Sequence, residues 1–238
     1  MKNKITIIMP IGGIGQRFKV LDRNIEKPLI QIKKMPLFLV ALYSLKKIKY
    51  IDDIIIVTRK KIISEIKKEC KNRNFFKNKK FKFVCLSKKT KSPIHTILRA
   101  KGKFKNSNGI ICIDNDFYFK STEYLKMINL KNAEAIVPFF KSKKPIYSYI
   151  KTKNNKVLDI KEKKAISSKA VAGAYFFKNG KKFLSNCKKT IKNKKTYLSD
   201  VVKTYLNENK KVHCSKIDYY RSFGTPIELK KSIINFDV

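Results

Sequence analysis

Gly12-Gly13-Ile14-Gly15-Gln16-Arg17 is the stretch of this chain with the most chemical promise. Glycine lets backbone N–H groups come close to an anion because no Cβ intervenes, and Arg17 can set a permanent positive charge beside the same anion. The pattern reads as a phosphate loop, against the plainer alternative of a tight connection after a strand. Two familiar phosphate loops do not fit. A Walker A loop needs a Gly-Lys followed by Ser or Thr, which the chain lacks. A dinucleotide fingerprint needs a third glycine where Phe18 stands and an acid after the second strand, where the chain has Thr58-Arg59.

Two further groups invite chemistry. Asp114-Asn115-Asp116 follows the apolar run 109–113, and the carboxyl end of a central strand is where an open α/β sheet places its ligand site. A hard cation needs carboxylate oxygens, whereas an ordinary turn needs only one Asp or Asn, so both readings stand at this point. Glu26-Lys27-Pro28-Leu29 offers a second cation after the loop, although a lone lysine in so lysine-rich a chain is ordinarily a solvated one.

The elements that must hold these residues follow from periodicity. Continuous β-branched or apolar runs at 5–9, 54–58, 81–86 and 109–113 predict buried strands, and helical spacing at 36–48, 62–70 and 94–101 predicts helices between them. That alternation implies a doubly wound, Rossmann-like α/β fold with a mostly parallel sheet. Beyond residue 133 shorter strands are expected at 135–140, 147–151, 157–162 and 172–177, with a hairpin turn at Asn154-Asn155 and helices at 181–191 and 199–207. This predicts a small mixed β subregion at the C-terminal side of the sheet. The whole, residues 1–238, reads as one domain with a nucleotide-binding half at 1–132 and an acceptor-binding half at 133–238.

Composition sets the outer bounds. With 43% hydrophobic residues the chain has material for a core, which excludes disorder. Its 57 Lys and Arg against 17 Asp and Glu give a formal charge of +40, a field that draws in anions such as nucleotides. The excess is nearly all lysine, scattered without a basic arm or zinc-finger spacing, so no specific nucleic-acid partner is expected. Five cysteines without a C-x-x-C pair suggest neither a zinc site nor a disulfide framework. The N-terminal apolar run breaks at Pro10, too soon for a spanning helix, so no membrane partner is expected and the cytoplasm is the expected compartment. A homo-oligomer stays open.

The loop taken together with Lys27-Pro28-Leu29 resembles the sugar-phosphate nucleotidyltransferase family, whose hallmark is a first-strand G-G-x-G-x-R loop followed by K-P-L. The resemblance runs along essentially the whole chain and implies the nucleotidyltransferase, or GT-A, version of the fold. It implies that Gly12, Gly13 and Gly15 receive a nucleoside triphosphate, and that Arg17 and Lys27 stabilise charge on its α-phosphate and on departing pyrophosphate. Thr90 to Ala100 occupies the base-recognising segment, with Ser92 where a glycine is usual, which leaves the base open. By the same resemblance Asp116, with Asp114 next, would hold a Mg²⁺ ion. Glu162, Lys163 and Gly173 would contact a small phosphorylated acceptor. Phe223-Gly224-Thr225-Pro226 matches the family's G-T-P ending before a final helix. Ser222 stands where many members carry a second metal-binding aspartate, so either another acid such as Asp218 or Asp200 serves instead, or one strand-four aspartate does most of the work, or the chain belongs to a divergent branch with an unusual acceptor. The implied activity is transfer of a nucleotidyl group to a sugar 1-phosphate, giving an activated precursor for surface polysaccharide. A cytidylyltransferase acting on a non-sugar phosphate, or a binding protein without catalysis, are the alternatives.

Overall fold

The run Ile5-Thr6-Ile7-Ile8-Met9 suits a strand covered on both faces, and it forms the centre of a sheet. In the computed structural model it becomes β1 (Ile5–Ile11), parallel to β4 (Ile51–Arg59) on one flank and to β6 (Gly109–Ile113) on the other, with β5 (Lys80–Leu86) beyond β4. The structure describes residues 4–20, 22–72, 79–129, 133–234 and 236. Residues 1–3, and residue 132 at the boundary between the two expected halves, lie outside the described residues.

Between β1 and β4 lie α1 (Gln16–Lys19), the paired short strands β2 (Gln31–Ile32) and β3 (Met35–Pro36), and α2 (Leu37–Tyr43). The helix expected over 36–48 stops at Tyr43. From Ser44 the bonds run to the third residue back, as from Leu45 N–H to Leu42 O at 2.9 Å, so the chain tightens into turns. α3 (Ile63–Lys71) and α4 (Pro93–Leu98) link the next strands. Alternate strand residues feed two cores: Ile7, Met9, Ile54 and Ile56 lie in one, Ile8, Ile55 and Val57 in the other.

After β6 come β7 (Phe117–Lys120), α5 (Thr122–Asn129), β8 (Ala135–Lys141), β9 (Tyr149–Lys153), β10 (Lys156–Lys161), β11 (Lys169–Val171) and β12 (Ala174–Phe177). The chain then runs through α6 (Gly180–Lys192), α7 (Leu198–Asn207), β13 (Val212–Lys216), β14 (Tyr219–Ser222) and α8 (Pro226–Ile233). The strand order β11-β9-β10-β13-β8-β12-β6-β1-β4-β5 makes one ten-stranded sheet. The expected mixed subregion therefore continues the main sheet, because β12 pairs antiparallel with β6, Ala174 opposite Ile113 and Phe177 opposite Ile110. A mostly parallel sheet holds for β6-β1-β4-β5 and for the β8–β13 pair only. The other pairings are antiparallel, as a two-residue turn such as Asn154-Asn155, with φ of 46° and 59°, can join strands no other way.

β7 and β14 form a separate antiparallel pair, Ser222 opposite Phe117. This pair brings two distant loops together, with Phe223 N–H donating to Asp116 O at 2.7 Å.

Candidate active site

The glycine loop is shaped by what it must lie against. Gly15 sits in the left-handed region at φ 64°, and a Cβ there would come 2.8 Å from the Cβ of Lys27, so the loop and the Lys27-Pro28-Leu29 turn pack only because position 15 is glycine. A Cβ at Gly12 would meet the hydroxyls of Thr96 and Thr90 at 2.7 and 2.8 Å, which ties the loop to α4. Gly13 is exposed, with open space above it. Two cavities meet here. One, about 330 Å³, is lined by Gly13, Gly15, Lys27, Thr90, Ser92 and Asn115 among others. The second, about 170 Å³, is lined by Arg17, Asp114, Asp116, Glu162, Gly173 and Ser222 among others, and Pro93 lies on the wall of both.

Lys27 stands at the junction. Its ammonium, on a side chain 14% exposed, donates to Asp116 Oδ2 at 2.7 Å and to Gly224 O at 3.3 Å, and lies 5.1 Å from the Phe18 ring centre. Asp114 hangs just behind. Its N–H donates to Gly173 O at 2.8 Å, and a Cβ at Gly173 would lie 2.9 Å from its Cγ and closer still to Oδ2. Burial pushes the Asp114 carboxyl up to about 8, the Asp116 charge adds to the rise, and Lys27 offsets part of it.

Each residue expected from sequence can be located. Gly13, Gly15, Lys27 and Ser92 come together at the larger cavity, and Gly12 lies behind the loop. Ser92 is occupied as the cap of α4, its Oγ accepting from His95 N–H and sitting 2.8 Å from His95 Nδ1. Arg17 faces the smaller cavity, so the two ends of the loop serve different spaces. Glu162 and Gly173 line that smaller cavity too. Lys163 does not: it is exposed outside it, in the left-handed region at φ 51°, with Nζ 3.2 Å from the hydroxyl of Tyr197, which does line the cavity.

The two acids expected to replace a missing aspartate at position 222 lie elsewhere. Asp200 accepts from the N–H groups of Thr196 and Tyr197 at the start of α7. Asp218 accepts from Thr122 N–H and belongs to a different cavity beside Tyr43 and Lys120. The acid that does arrive is Glu228, 8% exposed, accepting from Ser222 Oγ at 3.0 Å and from Tyr147 OH at 2.6 Å. The only sequence signal for it is the spacing Thr225-x-x-Glu228, which reads as a helix cap. Thr225 does accept from Glu228 N–H, but the carboxylate turns to the cavity.

Among the described residues no group of three or more His, Cys, Asp or Glu could hold a metal on its own. Asp114 and Asp116 fit Mg²⁺ nonetheless, since this ion commonly takes one or two carboxylates and completes its shell with phosphates and water, and the mutual repulsion of the pair is what a cation would relieve.

Comparisons with known proteins bear on the family and the fold. A family model described as nucleotidyl transferase matches residues 5–231. A nucleoside-diphosphate-sugar pyrophosphorylase from Vibrio cholerae RC9 superposes with a TM-score of 0.84 at 16% identity, covering 96% of this chain and 100% of that one. The inositol-1-phosphate CTP transferase of T. maritima does so at 0.78 and 13% identity, covering 100% and 99%. In sequence, 2-C-methyl-D-erythritol 4-phosphate cytidylyltransferase of Fusobacterium nucleatum is 29% identical over 126 residues, 53% of this chain and 52% of that one. The chain thus spans about half the length of the curated relative it matches.

Proposed function

Since the chain belongs to the nucleotidyl transferase family, matched from residue 5 to 231, we propose that it transfers a nucleotidyl group from an NTP to a small phosphomonoester and releases pyrophosphate. The observation that carries this reading is the position of Lys27 and Asp116 at the junction of two cavities, one beneath the glycine loop and one beneath Glu162 and Gly173. In the reaction a phosphate oxygen of the acceptor attacks the α-phosphorus in line. The bond from that phosphorus to the bridging oxygen breaks, and pyrophosphate leaves with the electron pair.

Lys27 and Arg17 act here as fixed charges. Held by Asp116 and Gly224 O, the Lys27 ammonium is oriented before substrate arrives, which is what stabilisation of a developing anion needs. Arg17, on the acceptor side, would draw in the attacking phosphate. The N–H groups of the glycine loop would receive the triphosphate. Asp116 and Asp114 would hold Mg²⁺, which supplies neutralisation of phosphate charge when bound. The first half of the chain then serves the nucleotide and, through Arg17, reaches the acceptor that the second half holds, within one domain.

The resemblance and the name of the superposed Vibrio cholerae protein favour a sugar 1-phosphate acceptor, whose product would be an activated precursor for surface polysaccharide, whereas the superposed inositol-1-phosphate CTP transferase does not. The cytidylyltransferase relative instead favours a non-sugar phosphate. We place the reaction in the cytoplasm; no described helix is long and apolar enough to cross a membrane. The test is to incubate the protein with each of the four NTPs and a panel of phosphorylated sugars and alcohols, following pyrophosphate. No release with any pair would sink the proposal.

A further inference from the structure

The acceptor-side cavity is lined by more acidic than basic side chains, the reverse of the chain as a whole. Among the described residues, the acids Asp114, Asp116, Glu162 and Glu228 line it, and Arg17 is the one basic residue that does. Asp116 is paired with Lys27 and, together with Asp114, suits the metal, so Glu162 and Glu228 remain to be explained.

Hydroxyls hold both of them. Glu162 accepts from Ser148 and, at 2.8 Å, from Ser199. Glu228 accepts from Tyr147 at 2.6 Å, Ser222 at 3.0 Å and Thr225 at 3.4 Å, while Lys144, its ion-pair partner at 3.7 Å, has a side chain 65% exposed and largely solvated. Neutral donors orient a carboxylate without cancelling its charge. A buried charge in that state is costly, and a cation entering the cavity would compensate it where a neutral ring would not. Tyr147, Tyr175, Tyr197 and Tyr220 line the same cavity; the Tyr197 ring already has Lys163 Nζ 5.0 Å from its centre and Tyr220 is stacked on Phe140 with ring centres 3.7 Å apart, so Tyr147 and Tyr175 are the π-systems left to attract an ammonium group.

We infer that the acceptor is a phosphomonoester whose alcohol bears an ammonium group, read by Glu162, Glu228, Tyr147 and Tyr175 while its phosphate faces Arg17. The inference rests on the nucleotidyl-transfer reading and narrows its acceptor. A small amino-alcohol phosphate and an amino-sugar phosphate share this chemistry.

Calorimetric titration of the full chain separates the cases with two matched pairs. The first is phosphocholine against its uncharged carbon isostere 3,3-dimethylbutyl phosphate; the second is glucosamine 1-phosphate against glucose 1-phosphate. The cationic member of at least one pair is expected to bind at least about tenfold more tightly, and that pair identifies the source. In Glu228→Gln and Glu162→Gln the cationic member's lead over its uncharged partner should shrink to about threefold or less. Equal or reversed affinities in both pairs overturn the inference, as does a lead that survives both substitutions. The isostere comparison needs no variant, so it decides even if a substitution unfolds the chain. Pyrophosphate release from the four NTPs is measured with the same compounds. Release without any preference for the cationic members defeats this inference and leaves nucleotidyl transfer standing. A preference without release from any NTP does the reverse.

Discussion

Gly173→Ala is the substitution whose consequence the geometry defines most closely. Gly173 has no left-handed backbone to lose, so the effect comes from space alone: the new methyl would lie 2.9 Å from Asp114 Cγ and 3.1 Å from its Cβ, well inside contact distance and against the rigid part of the side chain. Asp114 cannot simply swing clear, because its own N–H is bonded to Gly173 O and it follows directly on β6. Overpacking of this kind costs about 1–3 kcal/mol of stability. It should also turn the carboxylate away from Asp116 and so reduce turnover by about tenfold or more. Urea denaturation with Gly173→Ala, Asp114→Ala and the double variant completes a cycle. The double variant is expected to regain more than half of the stability lost in Gly173→Ala, since the alanine at 114 removes the atoms struck, while turnover stays low. A Gly173→Ala protein as stable and as active as the wild type would show that Asp114 does not lie under Gly173, and the reasoning about this side of the site would fail with it.

Lys27→Ala is expected to lower kcat by about 100- to 1,000-fold, the usual cost of one oriented charge in a transition state, with a far smaller fractional loss of stability; parallel kinetics and thermal melts check it. EDTA should abolish pyrophosphate release, and Asp116→Asn should cost at least about two orders of magnitude in kcat, more than Asp114→Asn; full activity in the Asp116 variant would move the metal elsewhere. For acid stability, burial alone would raise Glu208, but Lys182, Lys189 and Asn186 outweigh it and hold the carboxyl down at about 2 against an ordinary 4.5. A depressed carboxyl stabilises the fold above its unfolded value and loses that contribution as pH falls toward the folded one, so stability should drop between about pH 4.5 and 2, and Glu208→Gln should flatten that part of the urea-midpoint profile.

What the sequence makes legible here is what is encoded locally. The strand-loop-helix around Gly12 and Gly15 can be read directly because close backbone approach needs glycine wherever it occurs, and the turn at Asn154-Asn155 because a tight hairpin needs residues that accept positive φ. β7 and β14 leave no such trace. Each is four residues long and gains its strand form only from a partner about a hundred positions away, Tyr219 opposite Lys120. Glu228 is hidden for a related reason: its spacing from Thr225 announces a helix cap, and only the folding of α8 against β14 turns the carboxylate toward Ser222. Asp200 and Asp218, nominated by residue type alone, are taken up by backbone N–H groups of their own neighbourhoods. Distance along the chain, more than chemistry, separates the legible residues from the rest.

The antiparallel seam between β6 and β12 also bears on how the molecule is made. Until Ala174–Phe177 has left the ribosome, the fully buried strand Gly109–Ile113 has one flank hydrogen-bonded to β1 and the other bare. For more than sixty residues of synthesis the nascent chain therefore displays an apolar edge of the kind that recruits other strands. The positive charge spread along the same chain, +40 in all, repels neighbouring copies through that interval. Like charge of this kind opposes edge-to-edge pairing between two unfinished chains.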